Sequence, residues 1–129
     1  KGEIKMAKIS KETTLGEILK TYSNAQDVLK GFGQRKHFEN WLYLKLKMLD
    51  MDCKTALVSD PKTFKQIRGH DNLFEIRYRK QKNIRILFSI EDFGKIVLYP
   101  FEEKNKNDFK PAIGVAKERK KEYEKKHII

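Results

Sequence analysis

The sequence has little cysteine, only three prolines and no long apolar run. Its single cysteine, Cys53, excludes a disulfide within the chain. No stretch approaches the roughly 20 apolar residues of a membrane-spanning helix, and no signal-peptide core is visible. We therefore expect a soluble, cytoplasmic protein. Cys53 has no histidine close in sequence, and we interpret it as a small buried hydrophobic residue.

Acidic residues are also scarce relative to basic ones. The chain has 29 lysines and arginines and 18 aspartates and glutamates, which gives a net charge of +11 and an isoelectric point near 9.7. Such an excess attracts polyanions and accelerates the encounter with them. Nucleic acid or an acidic protein is therefore the expected partner, although a solvated lysine-rich surface has the same composition. The apolar fraction of 39% is enough for one folded domain.

The first half of the chain has the periodicity of helices. Apolar residues at helical spacing predict a short helix over 15–22, with Thr14 and Glu17 at the spacing of a capping box. A second short helix should end at the glycines of 31–33. Residues 37–51 predict a longer helix with a wide buried face. After the turn at Asp60-Pro61, Phe64 and Ile67 should pack inward.

The second half predicts a sheet and a closing helix. Residues 73–79, 84–90 and 95–100 read as three strands joined by two short turns, which makes an antiparallel meander. We expect Pro100 to end the third strand. A charged helix should follow over 113–126. The fold class is therefore α+β, with a small twisted antiparallel sheet of three to four strands packed between N-terminal helices and a C-terminal helix.

A group of arginines on the predicted meander is the main candidate for chemistry. Glu75, Arg77 and Arg79 share one face of their strand because side chains alternate with period two, and Arg85 can approach that face from the next strand. Guanidinium groups offer forked donors that match phosphate oxygens. Arginines on the solvent face of a sheet can also serve only solubility, and the spacing leaves both interpretations open.

Several segments together resemble the RelE/HigB-type toxins of toxin–antitoxin systems, particularly their phage-related branch. The resemblance covers about residues 37–126 and rests on the order and spacing of five segments. They are 67–77 (IRGHDNLFEIR), 84–88 (IRILF), 95–101 (KIVLYPF), 103–111 (EKNKNDFKP) and 118–124 (ERKKEYE).

The resemblance implies a RelE-like fold and a metal-free endoribonuclease without a cofactor. In that family the ribose 2′-hydroxyl of mRNA attacks the adjacent phosphate, usually on the ribosome, and an antitoxin protein blocks the activity. The implied residues fall into two groups, and we expect Arg77, Arg79, Arg85 and Lys104 to converge on one open concave face. The catalytic group is Arg77, Arg79, Arg85, Lys104 and Tyr99, and the RNA-binding group is Lys80, Lys82, Lys106 and Tyr123. Tyr123 can stack on a base or anchor the last helix in the core, and the core role is favoured.

The chain departs from the family pattern at its acids and at one histidine. Glu75 can act as a general base or pair with an arginine, and pairing is favoured because neighbouring guanidiniums lower a carboxyl pKa. Glu102-Glu103 stands where the family motif is basic, and Tyr99 replaces the family histidine. His70 can shape its loop instead of catalysing. These departures leave the general base open and allow an altered activity.

The N-terminal third has a different character from the toxin-like part. Residues 9–19 (ISKETTLGEIL) and 28–33 (VLKGFG) resemble small helical domains of unknown function. We therefore divide the chain into an extension at 1–36 and a toxin-like domain at 37–129. Residues 4–9 can supply the first strand of the toxin fold, or the whole segment can be a helical appendage.

The leading functional hypothesis is an mRNA endoribonuclease toxin whose partners are mRNA, the ribosome and an antitoxin. One alternative is a toxin of the ParE kind, which has the same fold and inhibits DNA gyrase by binding. Another is a non-catalytic, nucleic-acid-binding phage accessory protein. The acidic pair Glu102-Glu103, at a place where the family motif is basic, favours this alternative.

Overall fold

The computed structural model describes residues 7–10, 13–22 and 24–128. Helices lie between the first strand and the other strands of an antiparallel sheet, and a long helix follows the last strand. The strands are β1 (Ala7–Lys8), β2 (Phe64–Gln66), β3 (Phe74–Tyr78), β4 (Ile84–Glu91) and β5 (Gly94–Glu102). The helices are α1 (Leu15–Thr21), α2 (Asn24–Val28), α3 (Arg35–Met51), α4 (Cys53–Ser59) and α5 (Phe109–Ile128), with a 3₁₀ turn at Lys106–Asp108. The predicted α+β class is confirmed. No helix in this part of the chain is long and apolar enough to cross a bilayer.

The sheet has the order β1-β5-β4-β3-β2, and every neighbouring pair is antiparallel. The predicted meander of β3, β4 and β5 is confirmed. The sheet has five strands where three to four were predicted, because β1 and β2 add an edge on each side. These edge strands have two and three residues, which is too short for an alternating pattern to identify.

Pro100 does not end its strand, contrary to the prediction. β5 continues to Glu102, and Pro100 lies opposite Ile86 of β4. The Pro100 carbonyl accepts a hydrogen bond from the Asn24 side chain, so the polar backbone atoms of this residue face away from β4. A proline costs no ladder hydrogen bond at such a position, since its missing N–H would not have pointed at β4.

The two faces of the sheet carry separate hydrophobic clusters. On the first face, α1 to α4 cover the sheet with buried side chains such as Phe38, Leu42 and Leu46 against Ile76 and Phe88. On the second face, α5 packs mainly against β5 and β4. α5 therefore does not cover the second face of β3 and β2, which lies to one side of this helix.

The described residues before position 37 share the first core with the sheet. β1 pairs with β5, and Ile18 and Val28 belong to the same buried cluster as Phe88. The Tyr22 hydroxyl donates a hydrogen bond to the Val97 carbonyl, which ties the end of α1 to β5. α1 begins after Thr14, whose side chain accepts from the Glu17 N–H as the sequence predicted.

The long helices match their predictions closely. α3 spans the predicted 37–51, and Phe64 and Ile67 are buried as expected. α5 begins at Phe109, four residues before the predicted start at Ile113, and includes Pro111 in its first turn. Proline is tolerated there because its missing N–H would have no partner within the helix.

Candidate functional site

The uncovered second face of β2 and β3 forms an open cleft beside the start of α5. Its volume is about 550 Å³. Four cationic side chains and one carboxylate line it, together with polar and apolar groups. They are Lys65, Gln66, Ile67, Arg68, Glu75, Arg77, Arg85, Phe109 and Ile113.

Strand register places the two central arginines side by side. Arg77 of β3 lies directly opposite Arg85 of β4 in the antiparallel ladder. Residues opposite each other in such a ladder point to the same face, with Cβ atoms about 5 Å apart. This confirms that Arg77 and Arg85 approach each other across the hairpin, as the alternation predicted.

Two carboxylates hold Arg85. Its Nη1 donates to Glu75 Oε1 at 2.7 Å and its Nη2 lies 2.6 Å from Glu103 Oε1. Its guanidinium also lies over the Phe109 ring, 5.2 Å from the ring centre. Glu75 is 4% exposed and Arg85 is mostly buried, so this network fixes the orientation of Arg85. Of the two roles considered for Glu75, the geometry supports pairing with an arginine.

Arg77 has no such carboxylate partner among the described residues. Its backbone N–H donates to the Thr63 carbonyl at 2.7 Å, which fixes the main chain at this point. Its side-chain Nε, like that of Arg85, is buried and has no hydrogen-bond partner in the described part of the chain, but Arg77 has no carboxylate on its other nitrogens either. A buried donor without an acceptor is costly, so Arg77 is suited to receive an external anion.

Lys65 and Arg68 complete the positive lining of the cleft. Both side chains are exposed, and within residues 7–10, 13–22 and 24–128 neither has a carboxylate within 4 Å. Sequence reasoning did not select them, because β2 was not recognised as a strand. The detectable signal was the position of Arg68 within the 67–77 segment that resembles the toxins.

Arg79 does not line the cleft, contrary to the prediction that it shares one face with Arg77, and Lys80 does not line it either. They follow the end of β3 and border a second cavity at the sheet edge. The chain leaves the strand geometry after Tyr78, so period-two alternation no longer fixes the direction of the next side chains. Arg77 borders both cavities.

Tyr99 also lies outside the cleft lining, although it is on the same face of the sheet. Its ring stacks on Phe101 with the centres 5.9 Å apart, and the Arg119 guanidinium lies 5.2 Å from its centre. Arg119 is itself anchored to the Leu98 carbonyl at 2.7 Å. These contacts place Tyr99 between β5 and α5, away from Arg77.

The loop lysines have separate positions. Lys82 contacts the Val28 and Lys30 carbonyls at 3.2 Å and Glu102 at 3.6 Å, so it fastens the end of α2 to the sheet. Lys104 and Lys106 are exposed around the 3₁₀ turn and do not line the cleft. The predicted convergence of Lys104 with the arginines is therefore not found.

Tyr123 belongs to the core, which is the favoured of its two predicted roles and removes it from the RNA-binding group. It is 2% exposed, and its hydroxyl lies 3.4 Å from that of Tyr22. Burial raises the pKa of Tyr123 above its ordinary value, and the hydrogen bond with Tyr22 opposes part of that effect. A ring enclosed in this way cannot stack on a nucleobase.

The chemistry of the cleft is that of an anion receptor. Forked guanidinium donors, an ammonium group and an apolar wall at Phe109 and Ile113 suit a phosphate that carries an organic group. No cluster of three or more histidine, cysteine or acidic side chains suited to a metal ion occurs among the described residues.

Comparison of the chain with protein-family models, with curated proteins and with solved structures gives no match.

Proposed function

We propose that the chain binds RNA in this cleft and acts as an mRNA endoribonuclease toxin of the RelE/HigB kind. The single observation that carries the proposal is the pair of opposed arginines: Arg77 has no carboxylate partner among the described residues and lies beside Arg85, which is fixed in place. Lys65 and Arg68 extend the positive lining to one side. The overall charge of +11 supports the attraction of a polyanion from a distance.

The cleft supplies part of what RNA cleavage requires. In the proposed step the 2′-oxygen bonds to the adjacent phosphorus, the bond from phosphorus to the 5′-oxygen breaks, and a 2′,3′-cyclic phosphate forms. The proton of the 2′-hydroxyl leaves, and the 5′-oxygen gains a proton. Arg77 and Arg85 stabilise the negative charge that develops on the phosphate oxygens. Glu75 positions Arg85 in this scheme.

In the proposal the protein works in the cytoplasm, where its partners are mRNA, the ribosome and a cognate antitoxin. An acidic segment of the antitoxin would cover the cationic lining and so prevent RNA from entering. The exposed side chains of Lys65 and Arg68 are accessible to such a segment.

A second candidate is an RNA-binding protein without catalytic activity. The observation that favours it is the neutralisation of Arg85 by two carboxylates. Such a protein would use the same cleft for binding and leave the bound RNA intact. A gyrase-inhibiting toxin of the ParE kind is distinguished by its target, since it would cause DNA damage in cells without new RNA ends.

Purified protein incubated with 5′-labelled single-stranded RNA tests the proposal, both with free RNA and with programmed ribosomes. We expect shorter products that end in 2′,3′-cyclic phosphate, and no product when the reacting ribose is 2′-deoxy. Arg77→Ala should abolish these products. Lys54→Ala is the matched control, because Lys54 is exposed on α4, across the sheet from the cleft.

Primer extension on mRNA from expressing cells gives the corresponding result in vivo. New 5′ ends that depend on Arg77 support the nuclease. RNA binding that depends on Arg77, with intact RNA in both assays, supports the non-catalytic candidate. Absence of RNA binding to the unaltered protein contradicts both.

A further inference from the structure

A second positive cavity lies at the edge of the sheet, on the other side of Arg77 from the cleft. Its volume is about 250 Å³. It contains three exposed cationic side chains, none of which has a carboxylate within 4 Å in the described part of the chain. Its lining residues are Trp41, Lys62, Thr63, Arg77, Tyr78, Arg79 and Lys80.

Trp41 gives this cavity an aromatic wall. The side chain is half-buried, and its ring is fixed by a stacked contact with Phe38 at 6.1 Å and an edge contact with Tyr78 at 4.9 Å. A rigid aromatic ring beside several cations is the combination that binds single-stranded nucleic acids, because bases stack on the ring and phosphates meet the charges.

Arg77 and Thr63 connect the two cavities. Arg77 lines both, and its main chain is fixed to Thr63 at the start of β2. β2 is the edge strand, so no further strand blocks the passage around it in the described part of the sheet. Free cations therefore continue from Lys65 and Arg68 in the cleft to Arg79 and Lys80 beyond the edge.

The geometry points to a second nucleotide subsite at Trp41, so that a single RNA strand crosses the sheet edge and occupies both cavities at once. The inference rests on the proposed RNA binding and specifies its substrate: an unpaired strand of at least a few nucleotides. Arg77 contacts the phosphate between the two subsites. Lys62, Arg79 and Lys80 bind the neighbouring phosphates, and a base packs against the exposed part of Trp41, whose ring is already in contact with Phe38, Tyr78 and Lys45.

The chain offers a direct readout, because Trp41 is its only tryptophan. The experiment titrates the protein with 2′-O-methyl uridine ligands, which have no free 2′-hydroxyl to attack phosphate. One ligand is uridine 3′-phosphate and the other is a single-stranded tetramer. Affinity is measured by calorimetry, and occupancy of the second cavity by the emission of Trp41.

We expect the tetramer to bind at least about tenfold more tightly than the mononucleotide and to change Trp41 emission, whereas the mononucleotide fills the cleft and leaves the emission unchanged. Arg79→Ala combined with Lys80→Ala should remove the tenfold gain and the emission change, and leave mononucleotide affinity within about twofold. Lys47→Ala combined with Lys54→Ala removes the same charge from exposed sites on α3 and α4 and should preserve both effects.

The outcomes separate this inference from the proposed function. If both ligands bind through Arg77 with equal affinity and a constant Trp41 emission, the second subsite is wrong and RNA binding in the cleft is still supported. If the Arg79 and Lys80 variant loses no more tetramer affinity than the Lys47 and Lys54 variant, the second subsite is also wrong. If neither ligand binds the unaltered protein, the proposed RNA binding itself fails.

Discussion

Arg77 and Arg85 lie opposite each other on β3 and β4, yet carboxylates hold only Arg85. Glu75 is the diagonal neighbour of Arg85 in the ladder, and Glu103 reaches it from the end of β5. Among the described residues no carboxylate lies within 4 Å of Arg77, whereas the Nε atoms of both arginines lack a hydrogen-bond partner. The two arginines therefore differ: carboxylates anchor Arg85 to the scaffold in a fixed orientation towards the cleft, and Arg77 is available to a ligand.

This asymmetry predicts that the two alanine substitutions destabilise the fold to different extents. Arg85→Ala leaves Glu75 buried without a partner, and breaking a buried pair in this way costs about 3 kcal/mol. Arg77→Ala breaks no ion pair and should cost about 1 kcal/mol. Urea unfolding at pH 7 measures both free energies.

A rescue variant serves as the control for that prediction. Adding Glu75→Gln to Arg85→Ala removes the unpaired buried charge and should recover part of the lost free energy of unfolding. Equal costs for Arg77→Ala and Arg85→Ala would contradict the assignment of Arg85 to the scaffold.

Glu103 competes with any anion for Arg85. Its carboxylate lies 2.6 Å from Nη2 of Arg85. Glu103→Gln should therefore strengthen the binding of single-stranded RNA by about three- to tenfold, since it removes one negative charge beside the cleft. Fluorescence anisotropy of labelled RNA at fixed salt measures the change. Glu122→Gln, an equal charge change at an exposed position of α5, should have a smaller effect, and a larger one would refute local competition.

Lys65 and Arg68 should each contribute to the salt dependence of the affinity for RNA. Each phosphate contact on a single strand contributes about 0.7 to the slope of log affinity against log salt concentration. Lys65→Ala and Arg68→Ala should each reduce the slope by about that amount, and Lys54→Ala should reduce it less. Unchanged slopes for both cleft variants would mean that RNA does not enter the cleft.

An ion pair between α3 and the start of the sheet predicts part of the pH dependence of stability. Lys45 Nζ lies 2.7 Å from Asp60 Oδ2. Burial raises the pKa of Asp60, but hydrogen bonds from Lys45 and Thr63 outweigh it and lower the pKa below its usual value. A carboxyl with a lowered folded pKa stabilises the fold above its unfolded pKa, and this contribution is lost as the pH falls through the folded pKa.

Asp60→Asn tests this linkage. The variant should be about 1 kcal/mol less stable than the unaltered protein at pH 7. The difference should disappear in acid, once Asp60 is protonated in both states. Urea unfolding across this range measures it, with Asp92→Asn at the exposed β4–β5 turn as the control. A difference that persists unchanged in acid would show that the ion pair is not its source.

The elements with strong periodicity could be predicted from the sequence, and so could the approach of Arg77 to Arg85. Alternation over 73–79 and 84–90 placed these two side chains on one face because both strands are long enough to show it. The position of Tyr99 could not be predicted in this way. The register shifts between Leu87 and Phe88, so that Leu98 is an extra residue in β5 and the alternation is broken there.

Tertiary contacts decided the remaining positions. The sequence suggests that Lys82 is a free loop cation. Its ammonium group instead donates hydrogen bonds to two carbonyls at and just after the end of α2, which lie 54 and 52 residues earlier in the chain. Lys65 and Arg68 belong to the cleft only because the three-residue β2 pairs with β3. Pairing of so short a strand depends on the partner rather than on its own pattern.

The affinity of Arg77→Ala for single-stranded RNA tests the central claim most directly. Anisotropy of a labelled, uncleavable 2′-O-methyl strand should show binding at least about tenfold weaker for Arg77→Ala than for Lys54→Ala, since a charge-assisted contact with phosphate is lost. The unfolding temperature of Arg77→Ala should lie only about 2 to 6 °C below that of Lys54→Ala, which shows that both variants fold. If Arg77→Ala and Lys54→Ala bind RNA with the same affinity, the cleft is not where this protein meets its ligand.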